Sequence, residues 1–157
     1  MKSLIALILT FSTTFLLAQE IKVGYEYYAN KSIKKELTSQ KGNPKAYLKN
    51  FYDNGKLKSQ GWLLNDKKDL YWIYYYENGS KKAEGRFIEG DKNEYWKNYH
   101  NNGKVKAEGY YKNGVKTDWW VFYNELGEKI NEGHYTGEIK NGFHHIYEDG
   151  KPKYAGH

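Results

Sequence analysis

The chain has 157 residues, with 17 tyrosines, 16 glycines, two prolines and no cysteine. The lack of cysteine excludes a disulfide framework, a thiol nucleophile and a thiolate metal site, so packing alone must hold the fold. The formal net charge of +6 is spread among interleaved lysines and acids, which reads as solvated surface and not as a nucleic-acid footprint.

Taken in chain order, Lys2, the apolar run over residues 4–17 and Ala18-Gln19 have the three parts of a secretory signal peptide covering residues 1–19. The run is too short for a comfortable membrane span. An exported chain, periplasmic or secreted, is therefore expected. Residues 20–50 follow as a worn version of what comes later: Asn30-Lys31 stands where Asn-Gly recurs, Ile33 aligns with Leu57, and Gly42 aligns with Gly90 and Gly114. They are expected to form a degenerate N-terminal capping repeat.

Residues 51–157 carry a unit of about 24 residues, the signature of a one-dimensional array in which each unit is buried by its neighbours. Its punctuation is Asn54-Gly55, Asn78-Gly79, Asn102-Gly103, Leu126-Gly127 and Asp149-Gly150. β-prone runs flank each pair, the strongest short-range hairpin signal. A two-residue turn on each pair sets the cross-strand register. It places Leu48 opposite Gly61, Trp72 opposite Gly85, Trp96 opposite Gly109, Trp120 opposite Gly133 and Phe143 opposite Gly156. An aromatic shielding the bare backbone of a strand glycine explains why the pairing recurs.

Longer connections around Glu89-Gly90 and Asn113-Gly114 are expected to lead from one hairpin to the next, in a meander of about eleven strands. The fold class is thus all-β: an elongated single twisted sheet of hairpin repeats. One face should be dry, with Trp72, Tyr74, Ala83, Phe87, Trp96, Ala107, Tyr111, Trp120, Phe122 and Tyr135. The other should stay wet, with Tyr75 facing Lys82, Tyr99 facing Lys106 and Lys97 facing Glu108. Pro152, lacking an N–H, should discourage a further strand at the C-terminal edge.

Tyr76, Asn78, Gly79, Gly85 and Phe87, repeated as His100, Asn102, Gly103, Gly109 and Tyr111, are followed by Gly114 with Trp119 and Trp120. This pattern, over about residues 45–157, resembles the MORN-repeat variant family of bacterial β-hairpin arrays, many of them described as toxin-antitoxin system antitoxins. The resemblance implies a binding scaffold.

Weighed as chemistry, the residues point away from an enzyme. The chain has no Gly-x-Ser-x-Gly elbow. Glu84, Glu108 and Glu132 recur as a column, which reads as a solvated ladder and not as a catalytic dyad. His144 and His145 are adjacent in a strand and point to opposite faces, so neither a shared metal nor another cofactor is expected. His100 and His134 read as interchangeable repeat positions. Lys56, Lys58, Lys81, Lys82, Lys104 and Lys106 flank the Asn-Gly turns, where lysine reads as edge protection. The expected contacts are Tyr75, Tyr99, Tyr123, Lys82 and Lys106, presented to another protein. The alternative is a peripheral membrane surface or a cell-envelope polysaccharide. Nucleic acid is not expected.

Overall fold

The computed structural model describes residues 20–156, with side chains through Lys153; the signal-peptide reading of residues 1–19 lies outside them. The described chain is all-β. Twelve antiparallel strands, one more than the sequence suggests, follow one another in order in a single open sheet. They are β1 (Ile21–Tyr27), β2 (Ile33–Gln40), β3 (Lys45–Phe51), β4 (Leu57–Leu64), β5 (Lys67–Tyr75) and β6 (Lys81–Ile88), then β7 (Asp91–Tyr99), β8 (Val105–Lys112), β9 (Val115–Tyr123), β10 (Lys129–Thr136), β11 (Ile139–Glu148) and β12 (Lys151–Gly156). β1 and β12 are its two free edges.

The two kinds of turn are exchanged relative to expectation. At Asn78-Gly79 the Gly79 amide donates to the Tyr76 carbonyl and the Tyr76 amide to the Ser80 carbonyl, both at 2.9 Å, leaving a three-residue loop with Gly79 at φ 94°. This is the turn-plus-bulge geometry in which glycine takes the left-handed position. The supposedly longer connections are the tight ones. Ile88 pairs with Asp91 and Lys112 with Val115, around the two-residue turns Glu89-Gly90 and Asn113-Gly114.

The extra loop residue does not upset the long-range register, because a one-residue bulge follows it. Tyr75 pairs with Lys81, then Tyr74 with Ala83, so Lys82 is left over and Trp72 still meets Gly85. The same compensation delivers Leu48 to Gly61, Trp96 to Gly109 and Trp120 to Gly133. In the last hairpin Asp149-Gly150 is a true two-residue turn, with Glu148 paired to Lys151, so the bulge after it goes uncompensated. The register slips by one, and His144, not Phe143, pairs with Gly156.

The aromatic core lies on one face, as the alternation requires. Trp72, Trp96 and Trp120 are fully buried, with Phe87, Ala107 and Tyr135 beside them and Tyr74, Ala83, Tyr111 and Phe122 packed against them. Phe143 is 51% exposed and takes no part in this core.

Each indole has a glycine across both neighbouring strands: Trp72 pairs with Gly61 and Gly85, Trp96 with Gly85 and Gly109, Trp120 with Gly109 and Gly133. The ring lies on the earlier glycine, not on the later one assigned from sequence. A Cβ on Gly61 would fall under 3.0 Å from the Trp72 ring, one on Gly85 likewise from Trp96, and one on Gly109 from Trp120. Gly133 is instead closed by the Cβ and backbone of His144 and the carbonyl of Phe143.

The cause is a kink near the start of β5, β7 and β9. Leu70, Glu94 and Asp118 have φ of 57°, 60° and 62°, and around them the register to the preceding strand shifts between Gly61 and Trp62, Gly85 and Arg86, and Gly109 and Tyr110. The shift frees a carbonyl for each indole N–H: Trp72 Nε1 donates to the Trp62 carbonyl at 2.8 Å, Trp96 to Arg86 at 3.0 Å and Trp120 to Tyr110 at 3.0 Å. The buried indole N–H is thereby satisfied in each of the three units that have one.

Candidate functional site

On the aromatic face the repeats build a groove of about 720 Å³ that crosses the sheet from β4 to β9. Its floor is ring surface. Phe87 and Trp96 meet edge to face at 5.1 Å between centroids, as do Tyr111 and Trp120. Two rows of lysine line it, Lys68, Lys92 and Lys116 in one and Lys58, Lys82 and Lys106 in the other, without an acidic residue among the lining side chains.

The first row lies directly over the core. Lys68 Nζ sits 4.8 Å from the Trp72 ring centroid and donates to the Tyr74 hydroxyl at 2.7 Å. Lys92 Nζ is 4.4 Å from the Trp96 centroid and Lys116 Nζ 5.4 Å from that of Trp120. These are favourable cation–π distances. Burial pulls the Lys68 and Lys92 ammoniums below their ordinary values, and at Lys92 the neighbouring Lys68 and Lys116 charges pull the same way. Among the described residues no carboxylate lies within ion-pair range of Lys68 or Lys92, whereas the exposed Glu138 reaches Lys116 at 2.8 Å.

The second row is made by the bulges. The left-over residue beyond the first four turns is Lys34, Lys58, Lys82 or Lys106, and beyond the fifth it is Ile130; the first three lysines place their Nζ 5.9, 5.3 and 5.5 Å from the rings of Tyr28, Tyr52 and Tyr76. Those tyrosines are fixed in turn. The Tyr28, Tyr52 and Tyr76 hydroxyls donate to the carbonyls of Phe51, Tyr75 and Tyr99, one unit further on, at 2.7–2.8 Å. His100 stands in the same column, 2.9 Å from the Tyr123 carbonyl, as expected of an interchangeable position. This ladder includes the first unit, which keeps the turn chemistry of the repeat while Leu37 and Leu48 replace its Gly–Trp pair.

The opposite face is organised by carboxylates, and the reading of Glu84, Glu108 and Glu132 as solvated is wrong. Their side chains are only 12%, 17% and 11% exposed. Glu84 accepts from the Tyr99 hydroxyl and pairs with Lys81 at 3.0 Å; Glu108 accepts from Tyr123 at 2.8 Å and pairs with Lys97 at 3.3 Å. Glu132 accepts from Tyr147, from Lys129 at 2.8 Å and from the Trp119 indole at 3.4 Å. Burial raises each carboxyl, but the hydrogen bonds and lysine charges outweigh it and hold all three below the ordinary carboxylate value. Burial and the same bonds raise the Tyr99 and Tyr123 phenols, Tyr123 to about 12.

Of the five expected contact residues, Tyr75, Tyr99, Lys82 and Lys106 are all among those that line the groove, whereas Tyr123 is not. Tyr99 and Tyr123 have their hydroxyls committed to Glu84 and Glu108, and Tyr75 accepts from the Gln60 amide at 3.1 Å in the equivalent place. Lys82 and Lys106 line the groove. The tyrosines and lysines are not direct cross-strand partners, since Tyr75 faces Lys81 and Tyr99 faces Val105, while Lys97 does face Glu108. The lysines beside the Asn-Gly turns flank a row of turns and not a strand edge, so edge protection is not their role. Lys68, Lys92 and Lys116 were missed, although a signal was available: each stands four residues before a core tryptophan.

The histidines diverge as expected of strand neighbours. His144 pairs with Gly133, whereas His145 pairs with Glu132, with Nδ1 at 3.6 Å from its carboxylate. Among the described residues no group of three potential ligands is placed to hold a metal ion.

No family model matches the chain, and no curated protein does. Among solved structures, the crystal structure of TarM aligns with a TM-score of 0.39 at 13% identity, covering 60% of this chain and 20% of that one. A mutant of S. aureus TarM in complex with fondaparinux, alpha-GlcNAc-glycerol and UDP aligns with the same score and identity, covering 62% and 19%. The chain thus spans about a fifth of the length of the structures it resembles, and a likeness that slight adds nothing to the account of fold or activity.

Proposed function

We propose that this chain is an exported, non-enzymatic repeat scaffold, akin to the MORN-repeat variants, that binds another protein in the lysine-lined aromatic groove. The observation that carries this reading is the division of charge between the faces. Six lysines line the groove without a carboxylate, while Glu84, Glu108 and Glu132 lie on the other side with their oxygens already engaged. Partly buried tyrosine rings beside lysines that, Lys116 apart, have no carboxylate partner among the described residues suit an anchor-rich protein interface. Carboxylates held ionised and hydrogen-bonded alike in three successive units do not suit proton transfer, which supports a binding role.

The test places a photocrosslinking side chain at Lys106, in the groove, and at Lys97, on the opposite face, in cells that produce the chain. A discrete protein adduct from position 106 and none from 97 is the expected result. The alternative, a membrane surface or an envelope polysaccharide, predicts cosedimentation with anionic vesicles or polysaccharide that collapses between low and moderate salt, and that result together with no adduct would replace the reading.

A further inference from the structure

We infer that the groove is spaced for one kind of protein segment, a polyproline II strand with an acidic side chain at every third residue. This rests on the protein-binding reading of the groove and goes beyond it by specifying what is bound. The first observation is a length. Lys68, Lys92 and Lys116 recur once per unit, every two strands; at about 4.8 Å per strand that is about 9.6 Å between the strands that carry successive ammoniums. Polyproline II rises about 3.1 Å per residue with three residues per turn, so every third side chain returns to one side after about 9.3 Å. The mismatch is about 0.3 Å per unit. An extended β-strand repeats its face after about 6.7 Å or about 13 Å, about 3 Å out of step either way.

The second observation is chemical. At Lys116 the exposed Glu138 already supplies a carboxylate at 2.8 Å, which shows the geometry an incoming acid would adopt at Lys68 and Lys92, where no described carboxylate takes that place. Glu138 also marks the end of the row, so two ligand acids three residues apart meet two open ammoniums. The third observation is the floor. The partly buried rings of Tyr74 and Tyr111, backed by the buried indoles of Trp96 and Trp120 and meeting them tilted or edge-on, are the part of the floor that a ligand can reach, ring surface of the kind on which the proline rings of a preformed, low-entropy helix pack.

The experiment titrates the full chain with a peptide of about four Glu-Pro-Pro repeats, following tryptophan emission and heat of binding. Three peptides serve as controls: its block isomer of identical composition, the Lys-Pro-Pro analogue, and an α-helical peptide with glutamate at heptad spacing. The repeat peptide is expected to bind about tenfold tighter than the block isomer, and the lysine analogue not at all. Lys68→Met with Lys92→Met should remove about tenfold in affinity, Lys92→Arg should retain binding, and Lys97→Met on the opposite face should change nothing. Circular dichroism checks that each variant keeps its sheet.

Equal binding of the repeat and block peptides, or tighter binding of the heptad helix, would overturn the spacing argument and leave the protein-binding reading standing. Failure of every peptide, with anionic vesicles or polysaccharide bound in the same assay, would overturn both.

Discussion

The central units and the two ends of this sheet share backbone geometry but not packing. From β4 to β10 glycine and tryptophan alternate across the strands, and each indole is closed by bare backbone beneath it and a lysine stem above. At the N-terminal end Leu37 faces Leu48, and β1 is exposed along its whole length. At the C-terminal end His144 takes the tryptophan place, and Phe143 and Ile146 are exposed at 51% and 42%. The turn-side ladder of Tyr28, Tyr52, Tyr76 and His100 continues through regions where the aromatic core does not. Hydrogen-bonded turns therefore propagate the ribbon, while the indole–glycine row decides where it is dry and rigid enough to carry a groove.

The largest expected effect tests that division. Trp96→Ala should cost about 3–5 kcal/mol in chemical unfolding, whereas Phe143→Ala should stay within about 0.5 kcal/mol. Similar losses at both positions would erase the distinction between centre and end. Gly85→Ala comes next. A methyl there enters the Trp96 ring, and overpacking of this kind costs about 1–3 kcal/mol; paired with Trp96→Ala, which vacates the space, the added cost of the alanine should largely vanish, and plain additivity would contradict the contact.

The smallest effect is on the opposite face and is read against pH. Glu84 and Glu108 titrate below their ordinary value of about 4.3, so the stability they contribute is present above that pH and is lost as pH falls through the depressed folded value. Tyr99 and Tyr123 titrate above the ordinary phenol value of about 10. Their contribution is full below that pH and is lost as pH rises, for Tyr123 through about 12. Glu108→Gln should lower stability near neutrality and converge with the parent in acid. A constant difference at all pH values would show that its ionisation is not coupled to folding.

The stripe from Trp72 to Tyr135 was legible in the sequence because strand alternation and a 24-residue period agree on it. The register was legible through a cancellation: a loop one residue longer than assumed is followed by a bulge one residue deep. Where the loop really has two residues, at Asp149-Gly150, the same arithmetic fails by one and assigns Phe143 in place of His144. The bulge is also what takes Lys82 and Lys106 out of cross-strand register with Tyr75 and Tyr99, and no residue type announces it. That the Glu84, Glu108 and Glu132 side chains are largely buried was hidden for a related reason: the tyrosines that cover them, Tyr99, Tyr123 and Tyr147, stand 15 residues further on, on the next odd strand.

The central claim, that each indole lies on the glycine of the preceding strand, is tested most directly by the α-proton resonances of Gly61, Gly85 and Gly109. Ring currents should move them strongly upfield, and Trp96→Phe should change the shift at Gly85 while leaving Gly109 under Trp120. If the change appears at Gly109 instead, or if none of the three glycines is shifted, the rings do not cover the backbone in this way and the groove built on them loses its floor.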